Sequence, residues 1–193
     1  MRRIVSVVAA TALVSSSSGQ INSYLILTSN VITPDSPSAT IEVWSTFDPQ
    51  WYAFNGADFD ILAAADPGDF SNPERILKGP GSKNGQVGLG GDSVDGILAN
   101  QLHFPSSAGI FADTANPILI WKATWSTSDF SPREVDLRTL TRGYAVYVSD
   151  QGNNKWLQDE PSFGEAFGKI TVVPASGAAA VLPVAVIMKR RRR

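Results

Sequence analysis

Short runs of alternating apolar and polar residues, separated by clusters of Gly, Pro, Asn, Asp and Ser, fill the middle of this chain. Residues 39–47 alternate most clearly. Ala39, Ile41, Val43, Ser45 and Phe47 fall on one face of an extended strand, and Thr40, Glu42, Trp44 and Thr46 on the other. Residues 23–32, 54–65, 94–104, 117–127, 143–149 and 168–173 read as further strands. Within 118–125 the start is apolar on both faces, as in a central strand. Leu119, Trp121, Ala123 and Trp125 line one face there and are expected in the core. Residues 56–65 and 94–102 also fit short helices, since Val94, Ile97, Leu98 and Leu102 lie at helical spacing. Turn signals stand at Asp66-Pro67-Gly68, Gly79-Pro80-Gly81, Lys83-Asn84-Gly85 and residues 150–154. The glycine-rich stretch 79–93 predicts one long exposed loop. Seven strand candidates of this kind predict an all-β fold, a two-sheet antiparallel β-sandwich.

The two ends break the pattern. Arg2 and Arg3 precede an apolar stretch at 4–14, interrupted only by Ser6 and Thr11, and the small residues Ser15 to Ser18 and Gly19 follow. Basic, apolar, then small is the order of a secretory signal peptide, and an eleven-residue stretch is too short to span a bilayer. At the other end, residues 170–188 carry no charge over nineteen positions and run into Lys189, Arg190, Arg191, Arg192 and Arg193. Such a stretch can just cross a hydrocarbon core about 30 Å thick. The basic cluster would stay on the cytoplasmic side as a stop. Pro174, Gly177 and Pro183 interrupt the stretch. The predicted organisation is a signal peptide at 1–19, a β-sandwich domain at 20–172 and a hydrophobic sorting helix within 173–193.

Val173-Pro174-Ala175-Ser176, the apolar residues 177–188 and the terminal cluster Lys189 to Arg193, in that order, resemble the PEP-CTERM class of C-terminal sorting signals. The usual motif continues Glu-Pro where this chain has Ala175-Ser176, and Pro183 falls inside the helix. The resemblance implies two processing partners, a signal peptidase and an exosortase-like enzyme. It also implies transient or permanent membrane anchoring through the C-terminal helix and a destination in the cell envelope or extracellular matrix. The central region, from Trp44-Ser45-Thr46-Phe47-Asp48-Pro49 through Asn116-Pro117-Ile118-Leu119-Ile120-Trp121, is similar to exported bacterial domains with this kind of tail, some of them cohesin-type or carbohydrate-binding-type sandwiches. That similarity implies fold alone.

Charge sharpens the picture. The formal net charge is −2, but seven of the sixteen basic residues lie at the extreme ends. All eighteen acidic residues lie between positions 35 and 165, so the middle carries a net charge of −9. A domain of that sign repels phosphate backbones, which excludes nucleic acid as the expected partner. With no cysteine, thiolate chemistry and disulfides are excluded, and a single histidine, His103, excludes a multi-His metal cluster within the chain.

Candidate chemistry is thin. Gly91-Asp92-Ser93 resembles the nucleophile block of Gly-Asp-Ser hydrolases, but Asn100-Gln101-Leu102-His103 offers a histidine without the acid that orients it. Asp58 with Asp60, Asp66 with Asp69, and the glycine–aspartate stretch 88–95 could supply oxygens to a structural calcium, or simply form a solvated acidic surface. No catalytic set, metal site or cofactor is assigned. Exposed aromatics can stack on sugar rings, and Trp44, Trp51, Tyr52 and Trp156 are the candidates for a glycan surface. Sequence alone therefore leads to a non-catalytic exported envelope or matrix protein, the alternative being a carbohydrate-binding module that uses those aromatics on a polysaccharide.

Overall fold

A computed structural model describes residues 21–64, 67–157 and 165–174. The predicted signal peptide, Asp66, Ala175 and Ser176 of the sorting motif, the sorting helix and the cluster Lys189 to Arg193 lie outside the described residues. In chain order the strands are β1 (Ile21–Leu27), β2 (Val31–Ile32), β3 (Ser38–Phe47), β4 (Ala53–Ala64), β5 (Asp69–Arg75), β6 (Gln86–Val87) and β7 (Ser93–Asn100). A helical turn, α1 (Pro105–Ala108), precedes β8 (Ile118–Ser126), β9 (Arg133–Tyr147), β10 (Asn154–Trp156) and β11 (Phe167–Val172). Two sheets result, one ordered β1-β3-β8-β5 and the other β2-β11-β9-β4-β7-β6, with β10 also pairing β9. Every pairing is antiparallel except β2 with β11. The fold is an all-β two-sheet sandwich, as the alternating pattern predicts.

Residues 56–64 lie in β4 and 94–100 in β7, so the helical spacing there is incidental. The predicted strand at 23–32 divides. Ile21–Leu27 pairs in the four-stranded sheet, and Val31–Ile32 crosses to the other beside β11. The Ser29 hydroxyl makes that crossing by accepting from the Val31 N–H at 3.1 Å and donating to the Val31 carbonyl at 2.7 Å. The predicted strand at 143–149 is only the end of β9, whose earlier half alternates Val135, Leu137 and Thr139 inward with Glu134, Asp136 and Arg138 outward. The stretch 79–93 is not one exposed loop. Gln86 and Val87 pair with β7, Lys83 exchanges two backbone hydrogen bonds with Leu98, and the Asn84 carbonyl accepts the Trp121 indole N–H at 2.8 Å. That last bond satisfies a buried donor, which is what draws the loop onto the sandwich.

The core lies between the sheets. Ile41, Val43, Trp121 and Trp125 from one meet Phe59, Ile61, Ile97 and Leu137 from the other, all essentially inaccessible to solvent. Phe59 packs edge-on against Trp121 with ring centroids 6.3 Å apart, a geometry worth roughly 0.5–1.5 kcal/mol beyond area burial. Gly68 is required where it stands, since a Cβ there would come within 2.0 Å of the Trp125 ring. The Asn116 side chain extends the ladder past the end of β3, its Oδ1 accepting the Phe47 N–H at 3.2 Å and its Nδ2 donating to the Phe47 carbonyl at 2.7 Å.

Leu119 corrects the sequence expectation. Trp121, Ala123 and Trp125 face the core as predicted, but Ile118 and Ile120 are buried in place of Leu119. A bulge causes this. Val43 pairs with Trp121 and Trp44 with Leu119, so Ile120 is the extra residue and the inside–outside phase inverts across it.

One polar chain crosses the core. The buried Tyr144 hydroxyl, on β9, bonds the Ser23 hydroxyl of β1, which is 2.9 Å from the Ser45 hydroxyl of β3. The Thr141 hydroxyl lies 3.4 Å from Tyr144 on its other side. Burial pushes the Tyr144 phenol above its ordinary range, outweighing the hydrogen bonds from Ser23 and Thr141. A raised folded-state value means this contribution to stability is intact below about pH 10 and is lost as pH climbs toward the folded value. Tyr144→Phe should therefore cost about 1–2 kcal/mol at neutral pH, read as a lower urea midpoint at unchanged slope. The same variant should lose stability less steeply with rising pH above 10 than the parent; an unchanged alkaline profile would contradict this role for the Tyr144 phenol.

Candidate functional site

Alternation places β3 residues next in sequence to Val43 and Ser45 on the outer face of the four-stranded sheet, and register lines them up with neighbours on either side. Trp44 stands opposite Tyr24 of β1 and opposite Leu119 of β8, so three apolar side chains form one row across three strands. All three are half-buried. The Trp44 indole N–H donates to Glu42 Oε2 at 2.9 Å, two residues back on the same strand, which fixes the ring's direction. Partial burial pushes the Tyr24 phenol above its ordinary range, consistent with a ring packed against a neighbour.

The next row along the sheet is Ile26, Glu42, Lys122 and Glu74. Lys122 pairs with Glu74 at 3.2 Å, and Lys78 lies 3.7 Å from the same carboxylate. The hydrogen bond from Lys122, then its charge, holds the Glu74 carboxyl below the usual range. Asn22 and Thr46 flank the aromatic row on its other side. Thr40, Thr124 and Ser71 form a hydroxyl row beyond the charges. The result is an outer face on which Tyr24, Trp44 and Leu119 form a row edged by hydrogen-bonding groups.

The four aromatics singled out from sequence do not share this face. Only Trp44 lies on it. Trp51 and Tyr52 stand in the β3–β4 connection at one end of the sandwich. Trp51 packs against the core with the Lys155 ammonium 5.3 Å from its ring centroid. Tyr52 leans on His103, with centroids 5.2 Å apart. Trp156, on β10, is 47% exposed and sets its ring against Gly143, where a Cβ would lie 3.0 Å from it. Tyr24 and Leu119 join Trp44 only through strand register and the Ile120 bulge, neither of which the sequence displays.

Of the sorting residues, Val173 and Pro174 are described. The Val173 N–H donates to the Ile32 carbonyl at 2.9 Å, carrying the pairing with β2 one residue past β11. His103 is buried, its Nδ1 accepting the Ala112 N–H at 3.0 Å and its Nε2 lying 3.1 Å from the Asp150 carbonyl. That pattern places the ring proton on Nε2. Tyr147 and Phe111 enclose the ring further, at 4.7 and 6.0 Å. Ser93 opens β7 and His103 follows its far end, so the strand's length separates them. His103 is an anchor for the 101–117 connection.

Asp58 and Asp60 do share a face, and Arg142 of β9 lies across both. Its Nε donates to Asp58 Oδ1 at 2.8 Å, Nη1 bonds Asp60, and the Gly96 N–H donates to Asp60 Oδ1 at 2.6 Å. The Arg142 guanidinium offsets one of the two negative charges of this pair. Among the described residues no group of three or more His, Asp or Glu is placed to hold a metal ion.

Partial burial pushes the Asp60 carboxyl up, but the hydrogen bonds from Arg142 and Gly96 and the guanidinium charge together leave it below its usual range. A lowered folded-state value gives stability that is present above about pH 4 and disappears as pH falls through that value. Arg142→Met should cost about 1 kcal/mol or less at pH 7 and flatten the acid limb of the stability curve, measured by urea unfolding between pH 7 and about pH 3. His103→Ala, which strands a buried N–H and a carbonyl, should cost about 2–4 kcal/mol in the same assay.

No protein-family model matches the chain, and no curated protein matches it. Among solved structures, it is similar to a cohesin module from a Clostridium perfringens ATCC13124 family 33 glycoside hydrolase, at 11% identity, over 81% of this chain and 98% of that one, with a TM-score of 0.46.

Proposed function

We propose that this chain is a non-catalytic exported protein of the cell envelope or extracellular matrix, routed by a signal peptide at 1–19 and a PEP-CTERM-type tail at 173–193. The observation that carries the reading lies in the ends themselves. Arginines precede a short apolar stretch at one terminus, and five consecutive basic residues follow nineteen uncharged ones at the other. The chain enters beside Phe47 at one end of the sandwich and leaves beside Ile32 at the other.

A binding role, rather than chemistry, suits the side chains the sequence offers. His103 is committed to two backbone groups, and the acidic pair Asp58 and Asp60 is committed to Arg142. The outer face of the four-stranded sheet, with the row Tyr24, Trp44 and Leu119, is where a ligand would lie.

Intact mass spectrometry on protein isolated from fractionated native cells tests the routing. Mature chain outside the cytosol should lack residues 1–19 and the cluster Lys189 to Arg193. Recovery of the full-length polypeptide, soluble and inside cells, would overturn the proposal.

A further inference from the structure

We infer that the Tyr24–Trp44–Leu119 row binds a neutral polysaccharide, laid across β1, β3 and β8 with a pyranose ring stacked on the Trp44 indole. The inference rests on the reading of this chain as an exported binding module and names the ligand of that module. A pyranose ring has an apolar C–H face and a rim of hydroxyls. Its complement is a flat aromatic surface with hydrogen-bonding groups at the edges, and Tyr and Trp supply large rigid contact area of this kind. The row offers two half-buried aromatic side chains and a leucine, and Asn22, Thr46 and Glu42 stand beside it. The Trp44–Glu42 hydrogen bond holds the indole in place before any ligand arrives, so little side-chain freedom remains to be lost on binding.

Charge and area select the occupant. The middle of the chain carries a net charge of −9, yet on this face Lys122 and Lys78 offset Glu42 and Glu74. A locally neutral patch on an acidic domain suits an uncharged ligand, while an anionic chain would meet repulsion from the surroundings. A stable protein partner needs about 800 Å² on each side, with a well-packed apolar centre. Three half-buried side chains, bordered by Ile26, Glu42, Lys122 and Glu74 and then by Thr40, Thr124 and Ser71, make a row only three strands long instead. Such a row fits one extended chain.

The test is affinity gel electrophoresis of the full-length protein through gels containing hydroxyethyl cellulose, amylopectin or galactomannan, with alginate as the acidic control. At least one neutral polymer should retard the parent protein, and alginate should not. Trp44→Ala should weaken retention at least about tenfold, as expected for loss of a central aromatic contact. Trp44→Phe, which keeps a ring, should retain most of it, and Trp156→Ala should change nothing. Tyr24→Ser is the second variant should Trp44→Ala fail to fold, with folding checked by circular dichroism. Three results would overturn the inference: no retardation by any neutral polymer, equal retardation by alginate, or parent-like retention in folded Trp44→Ala and Tyr24→Ser. Failure here is distinct from failure of the export reading. A processed exported chain that ignores all three neutral polymers removes the ligand alone, whereas an unprocessed cytosolic chain that binds them removes the setting and leaves the site.

Discussion

A β-strand sends successive side chains to opposite faces, and in a two-sheet sandwich one of those faces is the core, so a single extra residue decides what is buried. In β8 that residue is Ile120. With an unbroken ladder, Trp44 would stand opposite Ile120, and Leu119 would point inward on the same face as Trp121. The bulge instead keeps Ile118, Ile120 and Trp121 all inside and turns Leu119 out beside Trp44. Core density and outer row are thus set by one irregularity. Bulges of this kind recur where a sheet must re-aim a side chain.

The same logic explains what could be read from the chain. Alternation in 39–47 was unambiguous because its outward positions are Thr, Glu, Trp and Thr, a polar set with one exception. Ile118-Leu119-Ile120-Trp121 offers four apolar residues in a row, so no periodicity marks which face Leu119 takes. The first half of β9 is harder to read from sequence although Val135, Leu137 and Thr139 alternate as strictly as any segment. Its outward residues are nearly all charged, and that solvated face masked the inward one. Edge strand β5 escaped for the opposite reason. It contributes Phe70 inward but contains Pro73, and a proline is tolerated there because an edge strand has backbone groups with no ladder to complete.

The candidate site was legible only in part, for a reason of dimension. Trp44 was visible as an aromatic on the polar face of its strand. Tyr24 and Leu119 become its neighbours through pairings of residues that are 20 and 75 positions away in sequence, set by which strands lie side by side. Trp51, Tyr52 and Trp156 shared the aromatic chemistry with Trp44 but not its sheet. Residue type alone cannot separate a ring on the outer face of a sheet from one leaning on His103 or Gly143.

The outer row and the polar chain through the core are two sides of the same pair of strands. Ser23 and Ser45 point inward immediately beside Tyr24 and Trp44, which point outward. Small hydroxyl residues at those inner positions leave room for the Tyr144 phenol and give it a partner, where a larger apolar pair would have excluded it. The bond matters most for β1, an edge strand with a ladder on one side only, because Tyr144 ties it to β9 of the opposite sheet. An edge strand held only by its neighbour could fray, and Tyr24 would move with it. Anchored from beneath, β1 keeps Tyr24 in register with Trp44, so the inner hydrogen bond adds to the outer Trp44–Glu42 bond in fixing the row.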